Sequence, residues 1–375
     1  MKIGILKESG KENRVALLPD SAGVLVKSNV TVLVEKGAGV SAFTSDKEYE
    51  AIGASVLSRD EVIAGSDLLV MINPPDSKDL QKMKEGQVLT AVLNPFMNTD
   101  LVKKLAEKNI TSFSLDIIPR TTRAQSMDIL SSQATVSGYK AVLDAAGKFS
   151  GFMPMLMTAA GTVKPAKVLI LGAGVAGLQA IATARKLGAV VEAFDVRSAV
   201  KEEVMSLGAK FVEVEGAIDD KSAGGYAVEQ TEEFRIKQQQ VIQEHAMKSD
   251  IVICTAQIPG RKAPVLLLKK TVEAMEPGSV IIDLAASTGG NCELTRNNEV
   301  VVHNQVSIVG NSDYPSEMPT DASLMFGKNV INFLKLVIDE KGDMNLDFND
   351  DIVQGTCVTH NKEVVNQRIK EILNK

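Results

Sequence analysis

Short apolar runs alternate along this chain with stretches in which apolar positions return every three or four residues. In the first 130 or so residues the runs fall at 2–6, 30–34, 68–72, 88–93 and 110–114, each followed by a helical pattern. Strands that alternate with helices predict a mostly parallel sheet covered on both faces. The second half repeats the scheme with runs at 168–171, 190–194, 211–214, 251–254, 280–283 and 307–309, a doubly wound arrangement. A helix over roughly 127–148 links the halves, and the Met-rich run 152–162 after it reads as gap-filling core. Later, Thr320 reads as the N-cap of a helix with Phe326, Val330, Phe333, Leu334 and Val337 on one stripe. That helix is expected to return the chain to the first domain. The expected fold is α/β: two Rossmann-like doubly wound parallel-sheet domains, the first discontinuous, with residues 1–132 and 318–375 in one and 133–317 in the other.

One stretch carries chemistry. Residues 168–171 run straight into Gly172-Ala173-Gly174-Val175-Ala176-Gly177, a helical segment follows, and Gly188 is placed to cap it. The next apolar run ends in Asp195, 18 residues after Gly177. Gly172 permits a tight turn, Gly174 lets backbone approach a pyrophosphate, and Gly177 allows helix and strand to pack closely. Exposed amides at the helix N-terminus hold the phosphate charge. A carboxylate at Asp195 accepts hydrogen bonds from a ribose 2′-hydroxyl and repels a 2′-phosphate, which favours NAD over NADP. Strand, glycine loop, helix, second strand and acid in one unit are far more specific than the glycine spacing alone.

Composition narrows the field without adding a site. At 375 residues the chain is long enough for two domains, and 45% hydrophobic residues suit a globular protein. A net charge of −6 with dispersed Lys and Arg leaves no footprint for nucleic acid. Three scattered cysteines give neither a zinc site nor a disulfide framework, so no metal is expected and a reducing cytoplasm is. The N-terminus lacks a signal-peptide core, and no apolar run reaches the roughly 18–20 residues that span a bilayer.

Several polar stretches remain open in meaning. Arg14 follows the first strand and is read either as a carboxylate anchor or as a structural charge. Residues 119–132 set Arg120, Gln125, Ser126, Met127, Asp128 and Ser131 close together where a helix begins. They are read either as N-terminal capping, with Asp128 in the first turn, or as a polar loop lining a cleft between domains. Residues 215–248 exceed an ordinary connection and join a Gly224-Gly225-Tyr226 stretch to a polar helix bearing Gln238. A lid that closes on a ligand and a surface insertion both fit. The tail 343–354 mimics a calcium loop but has Phe348 and Gln354 where glycine and glutamate are needed.

Oxidation of an alcohol or amine needs a general base, yet His245, His303 and His360 all lie outside the first half of the chain. Hydride exchange between two nicotinamides needs no base, only two C4 atoms brought to about 3–3.5 Å with water excluded. Against that background the stretches RVALLP (14–19), RAQSMDILSSQ (123–133), MTAAGTV, LGAGVAGLQAIATARKLGA, FDVR, AGGYA, IPGRKAPVL (258–266), PGSVIIDLA and GGNCEL are informative. Over essentially its whole length the chain resembles the soluble NAD(H)-binding component (domain I, alpha-1 subunit) of the proton-translocating, Si-specific/Re-specific NAD(P) transhydrogenases. The resemblance implies NAD(H) on this chain and NADP(H) on a partner beta subunit, with a membrane-spanning subunit coupling hydride transfer to proton movement. It implies a homodimer, peripheral to the inner membrane through its partners, and the chain's end before any membrane helix is similar to the separate-subunit arrangement. By motif match, Arg120, Gln125, Asp128 and Ser131 flank the nicotinamide and its ribose, with Gln125 positioning the ring. Ala173, Gly174 and Val175 cradle the pyrophosphate, and Asp195, Val196 and Arg197 meet the adenosine ribose. Gly225 and Tyr226 match a mobile loop, and Gln238 and Gln257 match further nucleotide contacts.

Alanine dehydrogenase is the nearest rival in resemblance and shares the RVAL motif. It needs a lysine, a histidine and an aspartate around its substrate, and the matching stretches here place Asn73, Asn94 and Ser287 at those positions. An asparagine is neither a base nor a cation, so amino-acid oxidation is expected to fail. An NAD-binding regulatory module without chemistry of its own is the remaining alternative.

Overall fold

The computed structural model describes residues 1–214, 231–257 and 261–373. Its strands follow in chain order. β1 (Lys2–Ile5), β2 (Thr31–Glu35), β3 (Ser55–Leu57), β4 (Leu68–Val70), β5 (Val88–Ala91) and β6 (Thr111–Ser114) come first. A two-stranded ribbon, β7 (Leu156–Thr158) and β8 (Gly161–Val163), is next. Then come β9 (Lys167–Leu171), β10 (Val190–Phe194), β11 (Lys210–Phe211), β12 (Ile251–Cys254), β13 (Val280–Asp283), β14 (Val300–His303) and β15 (Val306–Val309). β16 (Cys357–His360) and β17 (Glu363–Val364) close the series.

Two compact units result: 1–133 with 315–375, and 134–314. The division falls inside one helix, Ile129–Lys148. In the first unit the sheet order is β17-β16-β6-β5-β4-β1-β2-β3, parallel from β6 to β3 and antiparallel at β16 and β17. Side chains alternate across it: Ile3 and Ile5 join the apolar layer of Phe326, Val330 and Phe333, while Leu33, Leu69 and Leu89 join Val62, Val102 and Leu105. Both faces are covered, so the strands read as unbroken apolar runs. The second unit orders its sheet β11-β10-β9-β12-β13-β15-β14, with only β14 antiparallel. Val168, Ile170, Ile251 and Ile253 fill one face; Leu169, Leu171, Val252 and Ile281 fill the other.

The expected α/β architecture with two doubly wound domains, the first discontinuous, is therefore present, and several local expectations are corrected. β3, β14 and the C-terminal pair have no counterpart among the expected strands. The run at 211–214 contributes to the sheet only through Lys210–Phe211. The helix starting at Pro319 is capped by Met318, not Thr320, because Pro319 takes the first helical position, where its missing N–H and fixed φ cost nothing. The Met-rich run is not a core filler as a whole: Met153 is 8% exposed, but Met155 and Met157 are 57% and 76% exposed beside and within the ribbon. An isolated ribbon turns alternate side chains outward, and nothing in this chain's described residues covers them.

Candidate functional site

The glycine loop divides its three roles by geometry. Gly172 sits at φ +101°, and a Cβ there would lie 2.6 Å from Thr255 Oγ1. Thr255 braces the turn, its hydroxyl donating to the Gly172 carbonyl at 2.9 Å. Gly177 is packed so closely that a Cβ would stand 1.9 Å from the Gly172 oxygen. Gly174 is different: a Cβ would meet nothing within 4 Å. Open space lies over the loop where the helix Val175–Lys186 begins, and the N–H groups of a first helical turn have no partner within their own helix. That is a cradle a phosphate fits. The helix closes at Gly188 (φ +89°) with the paired bonds Gly188 N–H to Arg185 O and Ala189 N–H to Ala184 O.

Asp195 lies at the end of β10 with its side chain only 7% exposed. Its Oδ2 accepts from the Ala173 amide (2.7 Å) and Arg197 Nη2 (2.7 Å), and its Oδ1 from the Arg197 amide and Nε (both 2.9 Å). Four donors fill the roughly four lone-pair positions of a carboxylate. The Arg197 guanidinium is correspondingly held above its ordinary pKa, first by the Asp195 hydrogen bond and against the effect of burial. A ribose hydroxyl reaches Asp195 only if one of these donors yields. Ala173 accordingly spends its amide inside the protein, which leaves Gly174 and Val175 as the exposed portion of the cradle. Val196 packs at the margin of the core.

A second polar turn follows β12. Asn291, fully buried, accepts from the Ala256 amide at 3.0 Å and donates to the Ala256 and Pro264 carbonyls at 2.8 Å each. Asp283 anchors it, accepting from the amides of Ala285, Asn291 and Cys292 and from Thr295 Oγ1. Burial raises the Asp283 pKa, and these donors offset some of the rise. Gln257 is exposed on this turn and donates to Thr288 Oγ1 at 3.3 Å. Gln238 is half-buried on the helix Glu232–Ala246. Gly225 and Tyr226 lie outside the described residues.

In the first unit, residues 120–131 prove to be a 3₁₀ segment, Thr122–Met127, leading into the helix Ile129–Lys148. Asp128 is not in the first turn but is the cap itself, accepting from the Ser131 amide at 2.9 Å and the Ser131 hydroxyl at 2.6 Å. Capping is thus one function of this pair. Ala124 and Met127 are buried; Arg120, Gln125 and Ser126 are exposed. The Ser126 carbonyl accepts from Asn329 Nδ2 (2.8 Å) and Asn332 Nδ2 (3.1 Å). Arg123 forks onto Asp350 at 2.6 and 2.9 Å and also contacts Asp351. None of these four partners is legible from the local pattern, because each lies more than 200 positions away.

Arg14 is a structural charge here. It grips Glu12 through Nε (2.8 Å) and Nη2 (2.6 Å) and donates to Gln133 Oε1 (2.8 Å). Burial pushes the Glu12 carboxyl up, but the Arg14 bonds and charge outweigh it and hold it below the ordinary glutamate value. Glu8, nearby, accepts from the Ile72 and Asn73 amides and from the Asn73 side chain, with a pKa raised by burial. Asn94 (φ +47°) and Ser287 are not among the buried residues. The three histidines are engaged elsewhere: His245 with Glu192, His303 with Glu273, His360 with Thr111. Among the described residues no group of three His, Cys, Asp or Glu is placed to hold a metal ion, and no helix is long and apolar enough to cross a membrane.

Comparison with known proteins agrees with this geometry. The model of the alanine dehydrogenase/PNT N-terminal domain matches residues 4–137, and that of the alanine dehydrogenase/PNT C-terminal domain matches 141–367. An NAD(P) transhydrogenase subunit alpha (its first part) from Rhodospirillum rubrum is 46% identical over 97% of this chain and 98% of its own length. The crystal structure of transhydrogenase from Sinorhizobium meliloti aligns with a TM-score of 0.90 at 41% identity, over 97% of this chain and 100% of that one. A solved L-alanine dehydrogenase shares the fold, with a TM-score of 0.84 at 24% identity over 100% of this chain and 99% of its own. The chain belongs to the alanine dehydrogenase/PNT family, on the side of the NAD(P) transhydrogenase alpha subunits.

Proposed function

We propose that this chain is the NAD(H)-binding subunit of a proton-translocating NAD(P) transhydrogenase of the Si-specific/Re-specific type. The single observation that carries the reading is the cradle at Gly174, open where Gly172 and Gly177 are closed, on a chain this similar to transhydrogenase alpha subunits. When bound, the reduced nicotinamide supplies a hydride equivalent to an oxidised nicotinamide on an NADP-binding beta subunit. The residues of this chain hold and orient. Gly174 and Val175 amides neutralise pyrophosphate charge at the helix N-terminus. Asp195, with Val196 and Arg197, selects an unphosphorylated ribose, and Gln238, Gln257, Gly225 and Tyr226 add nucleotide contacts. Arg120, Gln125, Ser126, Met127, Asp128 and Ser131 serve the nicotinamide end, with Gln125 setting the ring's orientation. No proton is gained or lost by either ring, so the reaction tolerates Asn73, Asn94 and Ser287 where a dehydrogenase needs ionisable groups.

A homodimer that docks the beta subunit and a membrane-spanning subunit, peripheral to the inner membrane, completes the proposal. Support for self-association comes from the β7–β8 ribbon: an isolated two-stranded ribbon is marginal in water, and this one leaves Met155 and Met157 exposed. The test is a mixture. Purified chain alone binds NADH and transfers nothing; adding the NADP-binding subunit starts exchange between NADH and thio-NADP⁺. Reaction of alanine and NAD with the chain alone overturns the proposal in favour of the dehydrogenase, and no exchange with any partner leaves only nucleotide binding.

A further inference from the structure

Two asparagines converge on one main-chain oxygen in the first unit. Asn329 and Asn332 are three positions apart on the helix Pro319–Val337, hence on one face, and both donate to the Ser126 carbonyl. A carbonyl oxygen has two lone pairs, and these two donors match them. The oxygen they hold belongs to the residue directly after Gln125. Asn329 accepts a cost for this: its Oδ1 is buried with no hydrogen-bond partner among the described residues. Buried polar atoms are nearly always matched, and a helix that needed only to pack would carry an apolar residue there. On the other side of Gln125, Arg123 is fixed to Asp350, which itself caps the helix Asp351–Thr356. Ala124 and Met127 anchor the segment from below. Gln125 is thus exposed at the middle of a short 3₁₀ turn whose backbone is pinned before and after it.

We infer that Asn329 and Asn332 are positioning residues for hydride transfer: they fix the backbone at Gln125–Ser126 so that the glutamine side chain presents one orientation to the nicotinamide. The inference rests on the transhydrogenase reading and deepens it. The two donors are mutually redundant, so the loss of one leaves the carbonyl held and the loss of both releases it.

The experiment compares wild type, Asn329→Ala, Asn332→Ala and the double variant. Three quantities are read: the single-turnover rate from NADH to thio-NADP⁺ with the NADP-binding subunit, the NADH Kd of the chain alone by fluorescence, and amide hydrogen exchange. Each single variant slows transfer by about three-fold or less, and the double variant by on the order of 30–100-fold, more than the product of the singles. NADH Kd stays within about three-fold throughout, and faster amide exchange is confined to residues 122–127. A role in stability alone gives additive losses and raised exchange across the unit, and that pattern overturns the inference, as does a double variant that transfers at the wild-type rate. A double alanine variant too unstable to study leaves the better-packed pair Asn329→Leu with Asn332→Leu, which also removes both donors and whose exchange at 122–127 must rise selectively for the inference to stand. If wild type transfers nothing, the transhydrogenase reading has failed and this inference falls with it, a result distinct from normal transfer in all variants.

Discussion

Gln125 and Glu12 are polar residues with opposite duties. Gln125 is exposed, and the orienting role proposed for it predicts that Gln125→Asn, shorter by one methylene, slows exchange on the order of 10–100-fold while NADH Kd changes by less than about three-fold. Equal losses in rate and affinity contradict an orienting role. Glu12 is buried against Arg14 and works by stability. Its folded pKa lies below the ordinary 4.5, so its contribution is present above that value and lost as pH falls through the folded pKa. Glu12→Gln is therefore expected to cost about 1–3 kcal/mol at pH 7 by urea unfolding, a gap that closes toward acid pH. A gap that is constant with pH rules out the ion pair as its source. Sequence spacing identifies the glycines and Asp195 because those contacts are local. It does not show that Arg197 and the Ala173 amide together saturate Asp195, or that Asn329 and Asn332 hold Ser126, because side-chain direction and long-range approach leave no trace in spacing.

Among elements, the β9–loop–helix unit offers the cleanest separation of fold from ligand. Gly174→Ala projects into open space at an ordinary φ, so stability is expected to stay within about 0.5 kcal/mol while NADH binding weakens severely. Gly177→Ala drives a methyl into the Gly172 oxygen and is expected to cost on the order of 1–3 kcal/mol or more, lowering Tm before any ligand is added. Thermal unfolding and NADH titration of both variants check the pair; equal Tm losses contradict the assigned roles. The ribbon β7–β8 makes a separate forecast. On the proposed homodimer, Met157→Glu places charge on its exposed face and is expected to shift the mass in light scattering from dimer to monomer, while an unchanged dimer mass assigns self-association elsewhere. Strong apolar runs make most strands legible in the sequence. The ribbon is not, because methionine suits a core and an uncovered surface alike, and the cap at Met318 is obscured by a nearby threonine of better cap propensity.

For the molecule as a whole, the same fold serves alanine dehydrogenases and transhydrogenases, so function rests on the sites and not on the architecture. Two features of this chain point one way: a glycine loop that is open at Gly174 and closed at Gly172 and Gly177, and a set of positions, Asn73, Asn94 and Ser287, without a base. The central claim is that hydride passes directly from NADH on this chain to an NADP-type acceptor on another subunit. The most direct measurement uses NADH deuterated at C4 with thio-NADP⁺, this chain and the NADP-binding subunit, in ordinary water. The account predicts that deuterium appears at C4 of the reduced thio-NADP and none is lost to solvent. Deuterium released into the water, or reduction that proceeds without this chain, contradicts it.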